Sequence, residues 1–266
     1  MQDRFKLAIS FLGLGLSCVG LPACSGEADP LEAAGGTAEQ EMVTRNAFTK
    51  ESLVESAFAT DTLATEALTG NPLTSDAVAS SSDVMRALRD PLAREFLTYV
   101  ASCALPEGQS VQVSLDGETY TFGGSIGLSP EWGRAHGQCN ARCQGWLSAC
   151  MLARINHVGE SVPLSMRGKH KALDSDQAER DAFPRREAAY FGDLFAPEQR
   201  RFACKSPGST LISRVCGGTG VDTQGCIVDV LGDCDDICGA PTSDGSFPNC
   251  VGGGHTTPTT VTVFRE

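Results

Sequence analysis

Between residues 51 and 70 the apolar positions fall in helical register: Leu53, Val54, Ala57 and Phe58, followed by Leu63, Ala67 and Leu68. Gly70, Asn71 and Pro72 end that pattern. A second helical run from Val84 to Ala104 sets Met85, Leu88, Leu92, Phe96, Tyr99 and Cys103 along one side. Proline restricts the residue before it, so Asp90-Pro91 predicts a division of this run into two pieces. Beyond Pro106 the period drops to two. SVQVSLDGETYTF reads as a β-hairpin in which Val111, Val113 and Leu115 alternate against Tyr120 and Phe122, with Asp116-Gly117 as the tight turn.

Ser129-Pro130 has the chemistry of an N-cap followed by proline at the first helical position, which predicts a brief helix before Gly133. GQCNARCQGWLSAC and MLARINHVG then predict a central helix running from about residue 139 to Gly159. VPLSM at 162–166 reads as a strand closed by Arg167-Gly168; residues 171–195 contain another helix, and FPRREAAYFGDLF ends in an aromatic cluster of Tyr190, Phe191 and Phe195. After Arg201 the chain turns rich in glycine and cysteine. RFAC, TLISRVC, CIVDVL and TTVTVF are candidate short strands there. The expected fold class is α+β. Short N-terminal helices over 45–104 precede a disulfide-stapled domain over 105–266, with a β-hairpin, a central helix and a β- and loop-rich C-terminal part.

The first residues fall outside this pattern and speak of address. MQDRFK carries Arg4 and Lys6, and an apolar run from Leu7 to Leu21 leads into LPACSG, which together have the layout of an export signal over residues 1–23. That run, at about 15 residues, is shorter than the roughly 20 that cross a bilayer. Leu21, Pro22, Ala23 and Cys24 resemble the lipobox of bacterial lipoproteins, although proline is unusual in its second place. The resemblance implies acylation of Cys24, a mature chain beginning there and contact with a membrane through the attached lipid. Ser25 resembles the outer-membrane sorting signal of some of those proteins. Residues 24–44 are acidic, small and nearly free of large apolar groups, and read as a flexible tether.

Loss of Arg4, Lys6 and Asp3 with the leader takes 21 basic and 33 acidic residues to 19 and 32, a net charge of −13. A chain of this sign with no polybasic stretch is repelled by phosphate backbones, so no nucleic-acid partner is expected. Apart from Cys18 and Cys24, the cysteines stand at Cys103, Cys139, Cys143, Cys150, Cys204, Cys216, Cys226, Cys234, Cys238 and Cys250. An even number in an exported chain predicts disulfides.

Cys139, Cys143 and Cys150 are the sharpest cluster. On one continuous helix Cys143 and Cys150 lie about 40° and 20° from Cys139, so all three share a face. Cys139 and Cys150 would stand roughly 16 Å apart, beyond bridging distance. Parallel Cβ vectors disfavour a bond between Cys139 and Cys143. The expectation is a buried helix face whose cysteines bond mainly to other elements. The order Gly137, Cys139, Cys143 and Trp146 faintly resembles the run around the reactive cysteine of papain-like proteases, but its spacing departs from that run and no matching glutamine precedes it.

His136, His157, His170 and His255 are scattered, and His170 is expected to be exposed. Glu131 and Glu187 have aromatic neighbours of the kind found on sugar-binding faces, yet both also fit ordinary helix surfaces. Asp229, Asp233, Asp235 and Asp236 read as a solvated acidic loop without EF-hand order. No metal, cofactor or assembled catalytic set is expected. The body is similar to cysteine-rich exported bacterial lipoproteins as a class, which implies a non-catalytic binding or structural module with an extracellular or periplasmic ligand. The alternative is an exported hydrolase of envelope or extracellular carbohydrate or peptide polymers.

Overall fold

The computed structural model describes residues 47–157, 161–209, 212–216 and 226–266, so Cys18, Cys24 and the residues expected to form a leader and a tether lie outside the described residues. The fold is α+β. It opens with short helices α1 (Lys50–Val54), α2 (Ala57–Thr60), α3 (Thr62–Gly70), α4 (Ser75–Ser80) and α5 (Ser82–Ala87), followed by the longer α6 (Pro91–Ala104). Side-chain caps account for most of these starts. Asp61, Thr74, Ser81 and Asp90 each accept backbone N–H bonds at a helix N-terminus, and Pro91 occupies the first turn of α6, where no N–H is needed.

The hairpin follows as β1 (Ser110–Leu115) and β2 (Glu118–Gly123), in register from Ser110 opposite Gly123 to Leu115 opposite Glu118. Asp116 and Gly117 have φ of 51° and 90°, the left-handed pair a two-residue turn of this type requires. The brief helix expected after Ser129 is a turn instead. Trp132 N–H donates to Ser129 O, and Arg134 N–H to Glu131 O, so bonds span three residues and do not propagate as a helix. The indole of Trp132 is buried and donates to Asn71 O at 2.7 Å, which fixes this loop to the end of α3.

The central helix α7 is Ala141–Ala153, shorter than predicted. It stops because the next residues pair with the start of the described chain: Phe48 N–H donates to Arg154 O and Asn156 N–H to Phe48 O, making a bridge between Phe48 and Ile155. Gly159, the expected terminus, lies outside the described residues.

The main sheet has five strands in the order β3-β9-β4-β5-β6, where β3 is Ser165–Arg167, β4 Arg185–Asp193, β5 Arg200–Lys205, β6 Asp229–Asp233 and β9 Val261–Arg265. Every pairing is antiparallel except β5 with β6. The helix expected within 171–195 is the short α8 (Gln177–Ala182), whereas Tyr190 and Phe191 of the aromatic cluster belong to β4, the middle strand. Ala188 to Phe191 is buried at every position, so the alternation that marks a half-exposed strand is absent. TLISRVC contributes a π-helical turn, Ile212–Cys216, where a strand was expected. A small hairpin, β7 (Cys250–Gly252) with β8 (His255–Thr257), follows helix α9 (Cys234–Ile237).

The two faces of the sheet bury different material. Ala188 and Tyr190 of β4, Ala203 of β5 and Val261 and Val263 of β9 join α7 and the N-terminal helices in one large core. The intervening residues Ala189, Phe191 and Cys204 join Cys234, Phe247 and Cys250 in a smaller one. A bulge between Arg186 and Ala188 makes Glu187 the extra residue of β4 and turns its carboxylate toward Arg214. Arg214 also donates to Tyr190 Oη at 2.6 Å and to the carbonyls of Ala153 and Ile155, so this buried cation ties the end of α7 to the sheet. No helix among the described residues is long and apolar enough to cross a membrane.

Candidate functional site

The stretch GQCNARCQGW forms a wall shared by two clefts. Asn140 caps α7, its Oδ1 accepting from Arg142 N and Cys143 N at 3.1 Å each. Its backbone is extended, so Cys139 stands outside the helix. That single residue overturns the geometric objection to a local bond. Cys139 and Cys143 have Cα atoms 5.0 Å apart and form a disulfide across the cap, because their Cβ vectors are not those of two helical residues. Cys150 pairs with Cys103 of α6, and both are fully buried. The other bridges are Cys204–Cys234, Cys216–Cys226 and Cys238–Cys250. Cys139, Cys143 and Cys150 are thus oxidised and buried, and none is a thiolate nucleophile. Only Cys150 reaches another element.

The first cleft, of about 530 Å³, is lined by the 127–131 loop, the start of α7 and residues 170–172. Trp146 forms its floor; at 3% exposure it offers little face for stacking. His170 stands edge-on to it with ring centroids 5.1 Å apart. Contrary to the sequence expectation, His170 is half-buried and serves as a structural cap: its Nδ1 accepts from Ala172 N at 3.1 Å, starting the 3₁₀ turn Lys171–Leu173. Burial first, then the positive charge of Arg142, pushes the His170 pKa below its ordinary value, so the imidazole is neutral at pH 7. Glu131, Arg142 and Lys171 are exposed at the rim. Among the Glu residues singled out from sequence, Glu131 is therefore in this cleft, whereas Glu187 is buried with Arg214.

The second cleft, also about 530 Å³, lies on the other side of the first turn of α7 and again includes Arg142. Its walls are Gly192 and Asp193 of β4, Arg200 and Phe202 of β5, and the 255–259 segment. Arg200 pairs with Asp193 at 3.2 Å, and His255 is exposed on β8. Gly145 allows α7 to sit against this segment, since a Cβ there would lie 2.4 Å from Thr259 Oγ1. His157 is elsewhere, its Nδ1 2.9 Å from Arg214 O. Asp229, Asp233, Asp235 and Asp236 are exposed. Among the described residues the sulfurs of Cys204, Cys238 and Cys250 approach within 4.8 Å of one another, but as disulfide sulfurs they present no thiolate for a metal ion.

No protein-family model matches this chain, and neither does any curated protein or solved structure in the comparisons.

Proposed function

We infer that the chain is an exported lipoprotein of the bacterial envelope, anchored through lipid on Cys24 and carrying a rigid head that binds a ligand without transforming it. The observation that carries the non-catalytic reading is the state of His170. It is the one histidine in the first cleft, which Glu131 also lines, yet its Nδ1 is taken up by Ala172 N–H, which leaves Nε2 carrying the ring proton. An imidazole held in this way has no nitrogen free to take a proton from a substrate or water. With every body cysteine in a disulfide, no thiol nucleophile is assembled, and His170 is not placed to activate one in this cleft. The cleft's buried floor and charged rim suit retention of a polar ligand. Arg142 and Lys171 offer donors, and Glu131 an acceptor.

The test has two parts. Mass spectrometry of the mature chain should give an N-terminal peptide starting at acylated Cys24; an unmodified start elsewhere refutes the anchor. The purified head should then bind soluble fragments of envelope glycan or peptide saturably, with affinity falling at least about tenfold in Arg142→Ala/Lys171→Ala, the scale of losing charged hydrogen bonds. Release of cleaved products from those fragments, abolished by Glu131→Gln, would replace the binder with the hydrolase.

A further inference from the structure

Two disulfides of the smaller core touch. Cys204 Sγ lies 3.4 Å from Cys238 Sγ although neither is the other's partner, each being bonded instead to Cys234 and Cys250 respectively. The arrangement follows from α9, a single helical turn in which Cys238 N–H donates to Cys234 O. Cys234 opens that turn and Cys238 closes it, so one short helix offers two sulfurs to the same neighbour on β5. Accessibility separates the four atoms' owners: Cys204, Cys234 and Cys250 are at most 1% exposed, whereas Cys238 is half-buried.

We propose that Cys238 is a site of thiol–disulfide exchange with external low-molecular-weight thiols, and that Cys204 carries the exchange inward. Exchange proceeds by attack of a thiolate on a disulfide sulfur and depends on access to that sulfur. An external thiolate attacks Cys238 Sγ; a bond forms between the two sulfurs, the Cys238–Cys250 bond breaks, and Cys250 leaves as a thiolate that takes a proton from water. A second external thiolate attacks the sulfur of the first thiol, releasing the oxidised external disulfide and a Cys238 thiolate. That thiolate attacks Cys204 Sγ, the Cys204–Cys234 bond breaks, and Cys234 takes a proton. Two external thiols are oxidised and one protein disulfide is reduced.

The product has Cys204 joined to Cys238, with Cys234 and Cys250 as thiols. It keeps β5 tied to α9 but unties β7, whose hairpin with β8 walls the second cleft. The exchange thus connects the thiol environment to the shape of a cleft, and it stands independently of the ligand-binding proposal.

Reduced glutathione added to the native head, followed by acid quench, alkylation and peptide mapping, tests both steps. The expected products are a glutathionyl mass on the Cys238 peptide with Cys250 alkylated, and a Cys204–Cys238 peptide with Cys234 and Cys250 alkylated. An adduct on Cys204, Cys234 or Cys250 in place of Cys238 overturns the proposal. So does a cluster that stays intact at glutathione concentrations opening the partly exposed Cys216–Cys226 bridge. A Cys250→Ser variant removes the need for reductant. In folded variant protein, label should appear on both Cys234 and Cys238; label on Cys238 alone refutes the inward step. If that variant does not fold, the glutathione products on the native chain decide.

Discussion

The two faces of the main sheet are covered by different means. One face lies under α7, behind which α6 and the other N-terminal helices pack; aliphatic and aromatic side chains fill this core, and the Cys103–Cys150 bridge joins α6 to α7. The other lies under α9 and the 239–249 segment, and three of the six fully buried residues of its core are cysteines. A helix layer brings enough apolar area to order itself; a loop layer does not, and covalent links substitute for the missing burial. The chain thus builds half of its body as an ordinary packed domain and half as a stapled one.

The largest effect expected on the packed side comes from its buried ion pair. Arg214→Ala leaves the buried Glu187 carboxylate with only the longer, partly exposed Arg265 pair at 3.7 Å, and also strips donors from Tyr190 Oη and two carbonyls at the end of α7. A loss of about 3–5 kcal/mol is expected from denaturant unfolding with disulfides intact. A loss under about 1 kcal/mol would mean that this face does not depend on the pair, and the contrast between faces would weaken.

Next in size are the two bridges of the central helix, which differ mainly in the chain they close. Cys103 and Cys150 are 47 residues apart, Cys139 and Cys143 only 4. Loop-closure entropy predicts a loss of about 4 kcal/mol for Cys103→Ala/Cys150→Ala and about 2 kcal/mol for Cys139→Ala/Cys143→Ala. Equal losses in denaturant midpoints would show that the short bridge also maintains packing at the cleft, beyond closing a turn.

The sequence makes the packed N-terminal side easy to read and the sheet difficult. Asp90-Pro91 announces a helix boundary through local chemistry, and Asp116-Gly117 announces a turn, because in each case the cause lies within a few residues of the effect. β4 has no such sign: burial on both faces erases its period, and REAAY reads as well for a helix. The Glu187–Arg214 pair joins residues 27 apart through a bulge and a π-helical turn, neither of which has a spacing signature. The Cys139–Cys143 bond departs from the sequence expectation by one residue of helix boundary. Asn140 as a cap, itself a recognisable signal, would have placed Cys139 outside α7 and removed the objection to their bond. The first cleft unites three separated segments, so Glu131 and Trp146 could each be noticed while their meeting with His170 could not.

The smallest expected effect concerns His170, which belongs to the packed side and lines the first cleft with a neutral ring. Burial lowers its pKa in the folded chain, so below its ordinary pKa of about 6.5 the unfolded chain binds a proton that the folded chain resists. Protons bound in the unfolded state then exceed those in the folded state, and stability falls as pH drops from about 6.5 toward the folded pKa. His170→Asn supplies an oxygen acceptor where Nδ1 caps the 3₁₀ turn and has nothing to protonate. Denaturant midpoints for this variant should change less between pH 7.5 and 5.5 than those of the parent. An unchanged slope would place the pH dependence elsewhere and leave His170 a proton acceptor after all, which would also reopen the hydrolytic reading of the cleft.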